Sequence, residues 1–185
     1  AFKKTSESLG IAYTPIELVD FTLKSADEVM RAEFGRGLSD KEVHVIDPFT
    51  GTGSFIVRLL NNPDLIKDSD LKRKFSKELW ANEFLLLAYY IASINIEMAF
   101  HQRGQNDYTS FQGISLTDTF ELFERDEDEF PEMLKGNNDR ITAQRSAPIR
   151  VVVGNPPWST GQKLQNDNNA NRLYSTLDES IRGSY

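Results

Sequence analysis

The chain has 185 residues, 39% of them hydrophobic and 26% charged, which fits about one globular domain and excludes collagen-like and fully disordered classes. Zero cysteines and two histidines exclude disulfides and cysteine- or histidine-rich metal centres, and the longest apolar run, residues 84–92, is too short to span a bilayer. The net charge of −7 argues only weakly against a nucleic-acid partner, because residues 121–132 alone carry −6 of it.

Apolar periodicity divides the chain into alternating helices and strands. In chain order we predict helix 17–34, strand 43–46, helix 54–60, basic helix 67–77, strand 79–82, helix 85–100, strand 113–116, strand 149–153 and helix 172–182. The acidic stretch and a polar loop are predicted to separate the last two strands. The unbroken apolar run at 149–153 predicts burial on both faces, and the basic residues around Lys74 predict a solvated helix face. This alternation favours an α/β fold with a parallel sheet covered on both sides.

Polar side chains stand at the predicted ends of four strands, namely Asp47, Glu83, Asp118 and Asn155. In a parallel sheet the carboxyl ends of the strands meet at one edge, and ligands bind where the strand order reverses. Each carboxylate taken singly also fits a turn cap or a surface position. Their joint placement predicts one ligand site at this edge.

The segment 47–55 suits a small ligand with a cationic end. Gly51 and Gly53 allow close approach of the backbone, and the following helix points its N-terminal amides toward the same place. Ile56 stands where a dinucleotide fingerprint needs a third glycine, and the Gly-Lys-Ser/Thr of a phosphate loop is absent. Asp47 before the turn would suit an ammonium or sulfonium group, whereas a tight turn capped by this aspartate is the alternative.

The tetrapeptide Asn155-Pro156-Pro157-Trp158 is the most specific pattern in the chain. The amide oxygen of Asn155 and the carbonyl of Pro156 can together accept both N–H bonds of one exocyclic amine, which frees the nitrogen lone pair for attack. Trp158 offers a face on which a base removed from its helix can stack. A rigid turn beside a buried tryptophan is the alternative interpretation.

Together these motifs resemble the S-adenosylmethionine-dependent DNA adenine-N6 methyltransferases, in the gamma-type motif order. The resemblance is carried by Tyr13-Thr14-Pro15 before Leu18-Val19, by segment 47–55 with Asp47, Pro48, Gly51 and Gly53, and by the tetrapeptide at Asn155. It implies that the first two motifs bind S-adenosylmethionine, that Glu83 holds its ribose and Asp118 its adenine, and that Asn155, Pro156, Pro157 and Trp158 are catalytic. It also implies a Rossmann-like, three-layer αβα fold with a mainly parallel sheet, truncated after the fourth strand.

More narrowly, residues 139–162 are similar to the methyltransferase region of type ISP restriction–modification enzymes, which join nuclease, helicase, methyltransferase and DNA-recognition parts in one chain. This resemblance implies double-stranded DNA with a flipped adenine as partner, and helicase, nuclease and target-recognition domains in the same polypeptide. We expect residues 1–185 to be the N-terminal, cofactor-binding and catalytic-loop part of a methyltransferase domain, with a helical segment at 1–40. We expect the remaining strands to follow Tyr185 and the isolated piece to be inactive without them. We expect a cytoplasmic protein without metal or membrane.

Other functions stay open at this point. Methyltransferases that act on RNA guanine-N2 or on protein glutamine also use Asn-Pro-Pro-aromatic sequences, although the Tyr-Thr-Pro segment and Pro48 favour DNA. Cytosine-N4 enzymes more often carry serine at position 155 and rank lower. A non-catalytic cofactor-binding module is the alternative from another class.

Overall fold

The computed structural model describes residues 14–104, 107–120, 122, 136–156 and 175–184. The helices of these ranges are α1 (Ile16–Phe34), α2 (Ser54–Asn61), α3 (Asp68–Arg73), α4 (Leu86–Gln102), α5 (Asn137–Ser146) and α6 (Ser175–Arg182). The strands are β1 (His44–Asp47), β2 (Leu79–Glu83), β3 (Ile114–Leu116) and β4 (Ile149–Val152), and a π-helical turn, Lys74–Glu78, joins α3 to β2. All four predicted strands are present, each within one residue of its predicted bounds.

The four strands form one parallel sheet in the order β3-β2-β1-β4. Parallel pairing aligns Val45 with both Leu79 and Val151, and Ala81 with Ile114. The chain builds outward from β1 through β2 to β3 and then returns to the other side of β1, so the strand order reverses between β1 and β4. The predicted α/β fold with a parallel sheet is confirmed, and the carboxyl ends of the strands share one edge.

The core lies between the sheet and the helices that follow β1 and β2. Ile56 of α2 and Ile96 of α4 have no exposed surface, and α2 packs directly against α4. The ring of Phe75, in the π-helical turn, stacks on Phe100 of α4 with 3.8 Å between ring centroids. Because crossovers between parallel strands are right-handed, α2 and α4 cover one face of the sheet and α5, on the returning connection, covers the other.

The basic stretch before β2 is only partly a solvated face. Lys72 and Lys77 are exposed as predicted, whereas the prediction is wrong at Lys74. The Lys74 side chain has no exposed surface. Its Nζ donates to the carbonyl oxygens of Asp40 at 2.8 Å and Val43 at 2.7 Å, and it pairs with the Glu78 carboxylate at 3.0 Å. Burial lowers the pKa of Lys74, and the paired carboxylate opposes that shift. This lysine fixes the connection between α1 and β1.

Two further differences concern the second half of the chain. Helix α5 was not predicted, because its buried residues are Asn137, Ile141 and Gln144, of which only one is apolar. Strand β4 was predicted to be buried on both faces, yet Val152 is 66% exposed, because β4 is an edge strand of the described sheet.

Among the described residues, no helix is long and apolar enough to cross a membrane.

Candidate functional site

The four strand ends with polar residues meet at the carboxyl edge of the sheet. Asp47 is the last residue of β1, and Glu83 is the last residue of β2 beside it. Asp118 follows β3 by two residues, and Asn155 follows β4 by three. Since β1 and β4 flank the reversal of strand order, Asp47 and Asn155 lie on the two sides of the position where open α/β sheets bind ligands.

Asp47 is a buried carboxylate with one oxygen left unpaired. Its side chain is fully buried, its Oδ1 accepts the N–H of Phe49 at 3.1 Å, and its Oδ2 has no hydrogen-bond partner. Burial raises the pKa of Asp47 to about 7, and the negative charge of Glu83 adds to the rise. An unpaired buried acceptor of this kind is suited to a cationic ligand group, because such a group would satisfy the oxygen and stabilise its charge.

The loop after β1 uses its two glycines for different purposes. Gly53 has φ 92°, and a Cβ there would meet Ile96 Cγ1 at 3.3 Å, so glycine lets the start of α2 approach α4. Gly51 has φ 57°, but a Cβ there would have no heavy atom within 4 Å. Both positions therefore take the left-handed backbone that favours glycine; Gly53 in addition packs closely on α4, whereas Gly51 borders open space.

Glu83 fastens this loop to the end of β2. One carboxylate oxygen accepts the N–H of Gly51 at 2.8 Å, and the other accepts the N–H of Leu85 at 2.8 Å. The residue is 7% exposed, and burial raises the pKa of its carboxyl while these backbone donors oppose the shift. Each carboxylate oxygen has a second lone pair, so the same group can still accept from ligand hydroxyls.

Asp118 is partly exposed and organises the turn that follows β3. Its Oδ1 accepts the N–H of Phe120 at 2.9 Å, and its carbonyl oxygen accepts the N–H of Leu122 at 3.2 Å. These two hydrogen bonds show that Asp118 stabilises a turn at this strand end. A binding role for the same carboxylate stays a prediction.

The chain leaves β4 directly over Asp47. The Val153 N–H donates to Ile46 at 2.9 Å and continues the pairing with β1. A Cβ on Gly154 would lie 2.6 Å from Asp47 Oδ1, so only glycine allows this approach. Asn155 is half-buried and Pro156 is exposed. Pro157 and Trp158 lie outside the described residues.

The N-terminal motif is described only in part. Tyr13 lies outside the described residues, while Thr14 and Pro15 precede α1, and the Pro15 carbonyl accepts the N–H groups of Leu18 and Val19. Helix α1 packs on α2, where Asp20 and Arg58 form an ion pair at 2.6 Å. The assignment of this motif to the binding site stays a prediction. Within the described ranges, no group of three or more histidine, aspartate or glutamate residues could hold a metal.

Comparison with known proteins identifies the family. The model of the N-6 DNA Methylase family matches residues 1–180. The chain belongs to this family. Family membership implies a methyl-donor cofactor, and it agrees with the parallel sheet and the strand-end site. No curated protein matches the chain.

Three solved structures are similar to this chain. A nuclease-deletion mutant of the type ISP restriction–modification enzyme LlaGI, in complex with a DNA substrate mimic, is 48% identical over 94% of this chain and 15% of its own, with a TM-score of 0.84. The ATP-dependent type ISP enzyme LlaBIII bound to DNA is 46% identical over 100% of this chain and 13% of its own, with a TM-score of 0.84. The DrdV–DNA complex is 39% identical over 98% of this chain and 17% of its own, also with a TM-score of 0.84. These matches confirm the predicted resemblance to type ISP enzymes and the truncated Rossmann-like fold, and the chain spans less than a fifth of each relative.

The described residues of this chain fit a cationic methyl donor. The unpaired Oδ2 of Asp47 provides an acceptor for a positive group, and Gly51 borders open space at the start of α2. Sequence reasoning missed two residues of this edge, Gly154 and Thr119. The position of Thr119 directly after Asp118 was the available signal, whereas the need for glycine at 154 depends on the packing of β4 against β1.

Proposed function

We propose that this chain is the cofactor-binding and catalytic part of a methyltransferase that transfers a methyl group from S-adenosylmethionine to N6 of adenine in DNA, within a restriction–modification system. The supporting observation is the buried, unpaired oxygen of Asp47, which lies where β4 leads into Asn155-Pro156. A cation site and an amine-binding loop beside one another are what methyl transfer from a sulfonium to an amine requires.

The proposed cofactor contacts follow the sheet edge. S-adenosylmethionine would supply an electrophilic methyl group on a sulfonium. Asp47 would face the positive end of this molecule, together with Pro48 and the turn at Gly51, and Glu83 would accept from the ribose hydroxyls. Asp118 would accept from the adenine amino group, and Tyr13, Thr14 and Pro15 would contact the methionine end.

The proposed catalytic residues act on the amine. The Asn155 amide oxygen and the Pro156 carbonyl would accept the two N–H bonds of the target adenine, which localises the lone pair on N6. That lone pair would form the N–C bond as the C–S bond breaks, and the nitrogen would lose its extra proton afterwards. Pro157 would fix the loop, and Trp158 would stack on the flipped base. Positioning supplies most of the acceleration in such a site.

The relatives support DNA as the substrate over RNA or protein glutamine, because all three are DNA complexes. We infer that helicase, nuclease and target-recognition domains act with this part in one polypeptide, as in the type ISP enzymes. In that arrangement residues 1–185 would form the N-terminal part of the methyltransferase domain.

The test is Asn155→Ala in the full-length protein. Tritium transfer from S-adenosylmethionine to DNA should fall below detection, while calorimetry should show unchanged cofactor affinity. Asn138→Ala, at an exposed position on α5, is the matched control and should leave both quantities unchanged. Mass spectrometry of nucleosides should find N6-methyladenine in DNA treated with the wild-type protein. Near wild-type transfer by the Asn155 variant contradicts the catalytic role, and binding without any transfer by the wild type supports the non-catalytic alternative.

A further inference from the structure

A chain of hydrogen bonds crosses the sheet edge beneath the proposed cofactor site. Gln144 Nε2 of α5 donates to Asn82 Oδ1 at 2.9 Å, and Asn82 Nδ2 donates to the Thr119 hydroxyl at 3.2 Å. The Thr119 hydroxyl in turn donates to the Pro48 carbonyl at 2.6 Å. Asn82 and Gln144 are almost fully buried. Each donor points in the same direction, so the bonds polarise one another toward Pro48.

The last bond of this chain joins the two loops that carry the outer carboxylates. Thr119 directly follows Asp118, and Pro48 directly follows Asp47. The next residues along each loop also meet, since the rings of Phe49 and Phe120 lie 5.2 Å apart. One polar and one aromatic contact therefore span the end of β2, between the loop after β1 and the loop after β3.

The central strand holds both loops from below. The Thr50 N–H donates to the Asn82 carbonyl at 2.9 Å, and the Thr117 N–H donates to the Glu83 carbonyl at 2.9 Å. These main-chain bonds fix the base of each loop, and the Thr119 hydroxyl adds a hydrogen bond from one loop to the other beside the aromatic contact. The Asn82 amide orients this hydroxyl by donating to one of its two lone pairs, while the hydroxyl proton is donated to the Pro48 carbonyl.

We propose that Thr119 is a positioning residue for the cofactor, which sets the distance between the carboxylates of Asp47 and Asp118 through its bond to Pro48. The inference rests on the proposed function, in which these two carboxylates take opposite ends of S-adenosylmethionine. A ligand that spans both ends benefits from a fixed separation, because each contact made raises the effective concentration for the other. A ligand that reaches only one end gains nothing from it.

The test compares Thr119→Val with Thr119→Ser in the full-length protein. Valine keeps the shape and removes the hydroxyl, whereas serine keeps the hydroxyl. The probes are S-adenosylhomocysteine, which spans the site, and adenosine, which occupies one end. For Thr119→Val we expect the Kd of S-adenosylhomocysteine and the KM of S-adenosylmethionine to rise about tenfold, as for one lost hydrogen bond. The Kd of adenosine and kcat at saturating cofactor should change less than about threefold. In Thr119→Ser, the Kd values of both ligands should lie within about threefold of the wild-type values.

The matched control is Thr22→Val, which removes a hydroxyl that donates to Leu18 on α1, away from the strand ends. It should leave both Kd values unchanged. If Thr119→Val does not fold, Gln144→Met removes the first donor of this row of hydrogen bonds. The same selective loss of affinity for S-adenosylhomocysteine is then expected.

The possible outcomes separate the two proposals. If the wild type binds no S-adenosylhomocysteine, the proposed function falls and the positioning role falls with it. If the wild type binds but Thr119→Val binds both ligands normally, or loses both equally, only the positioning role is overturned. A selective loss that serine restores supports it.

Discussion

Replacement of Asp47 by asparagine is expected to raise the free energy of unfolding above pH 7, even though the residue lies at the ligand-binding edge. The wild-type carboxyl is fully buried with one oxygen unpaired. Burial without a cation raises the pKa of Asp47 from 3.8 to about 7. Asparagine keeps the shape and an acceptor for the Phe49 N–H, but carries no charge.

The magnitude follows from the linkage between protonation and folding. Between pH 3.8 and about 7, the folded protein holds a proton on Asp47 that the unfolded chain has released. Stability therefore falls by about 1.4 kcal/mol for each pH unit gained across this window. The contribution is fully present below pH 3.8 and is lost as the pH rises through about 7. From pH 5 to pH 8 the wild type loses about 3 kcal/mol of its free energy of unfolding through this group. The asparagine variant does not lose it, because the amide does not titrate.

Urea unfolding of the wild type and Asp47→Asn at pH 5 and pH 8, followed by tryptophan fluorescence, measures this effect. The free energy of unfolding of the variant, relative to that of the wild type, should be about 3 kcal/mol higher at pH 8 than at pH 5. Asp20→Asn is the control, because hydrogen bonding to Arg58 lowers the pKa of Asp20 below 3.8, so both conditions lie above its titration. That control should lose equal stability at both pH values. A stability difference for Asp47→Asn that is the same at pH 5 and pH 8 would refute the reasoning.

Three further substitutions test the packing and hydrogen bonds around this edge. Glu83→Ala leaves the N–H groups of Gly51 and Leu85 without an acceptor and should lower the free energy of unfolding by about 2–4 kcal/mol; unchanged urea unfolding would contradict this. Gly154→Ala places a Cβ 2.6 Å from Asp47 Oδ1 and should cost about 1–3 kcal/mol by overpacking, measured in the same way, and a neutral effect would show that β4 can move. Asn137→Leu removes two bonds to the main chain of Leu116 and should accelerate hydrogen exchange of the Leu116 amide; unaltered protection would argue against the contact.

The strands and their end residues could be predicted because local chemistry determines them. β1 is a β-branched run that stops at Asp47, where Pro48 cannot continue the pairing, and β4 is a β-branched run that ends shortly before Pro156. The alternation of strands with helices then required a parallel sheet, and the parallel sheet required one common edge. The positions of Asp47, Glu83 and Asn155 at that edge followed without knowledge of any contact.

The parts that could not be predicted depend on contacts between distant segments. The buried face of α5 is polar, because Asn137 satisfies the main chain of Leu116 and Gln144 satisfies Asn82, so no apolar period marks the helix. Lys74 looked like a solvated charge, since nothing in its neighbourhood along the sequence shows that it reaches the carbonyls of Asp40 and Val43. Burial of these residues depends on partners more than 20 positions away along the chain.

Hydrogen-bond pairing distinguishes the residues that hold this site in place from the residue that would bind the ligand. At this edge the polar groups of Glu83, Asn82 and Thr119 are paired with protein groups, and pairing fixes their geometry. Asp47 keeps an unpaired oxygen in a fully buried position, an arrangement that folding alone disfavours. Removal of the paired carboxylate at Glu83 should therefore destabilise the protein, while neutralisation of Asp47 should stabilise it above pH 7. These substitutions should therefore change the free energy of unfolding in opposite directions. That result is expected where protein groups hold Glu83 in place, whereas the charge of Asp47 is stabilised only by a bound ligand.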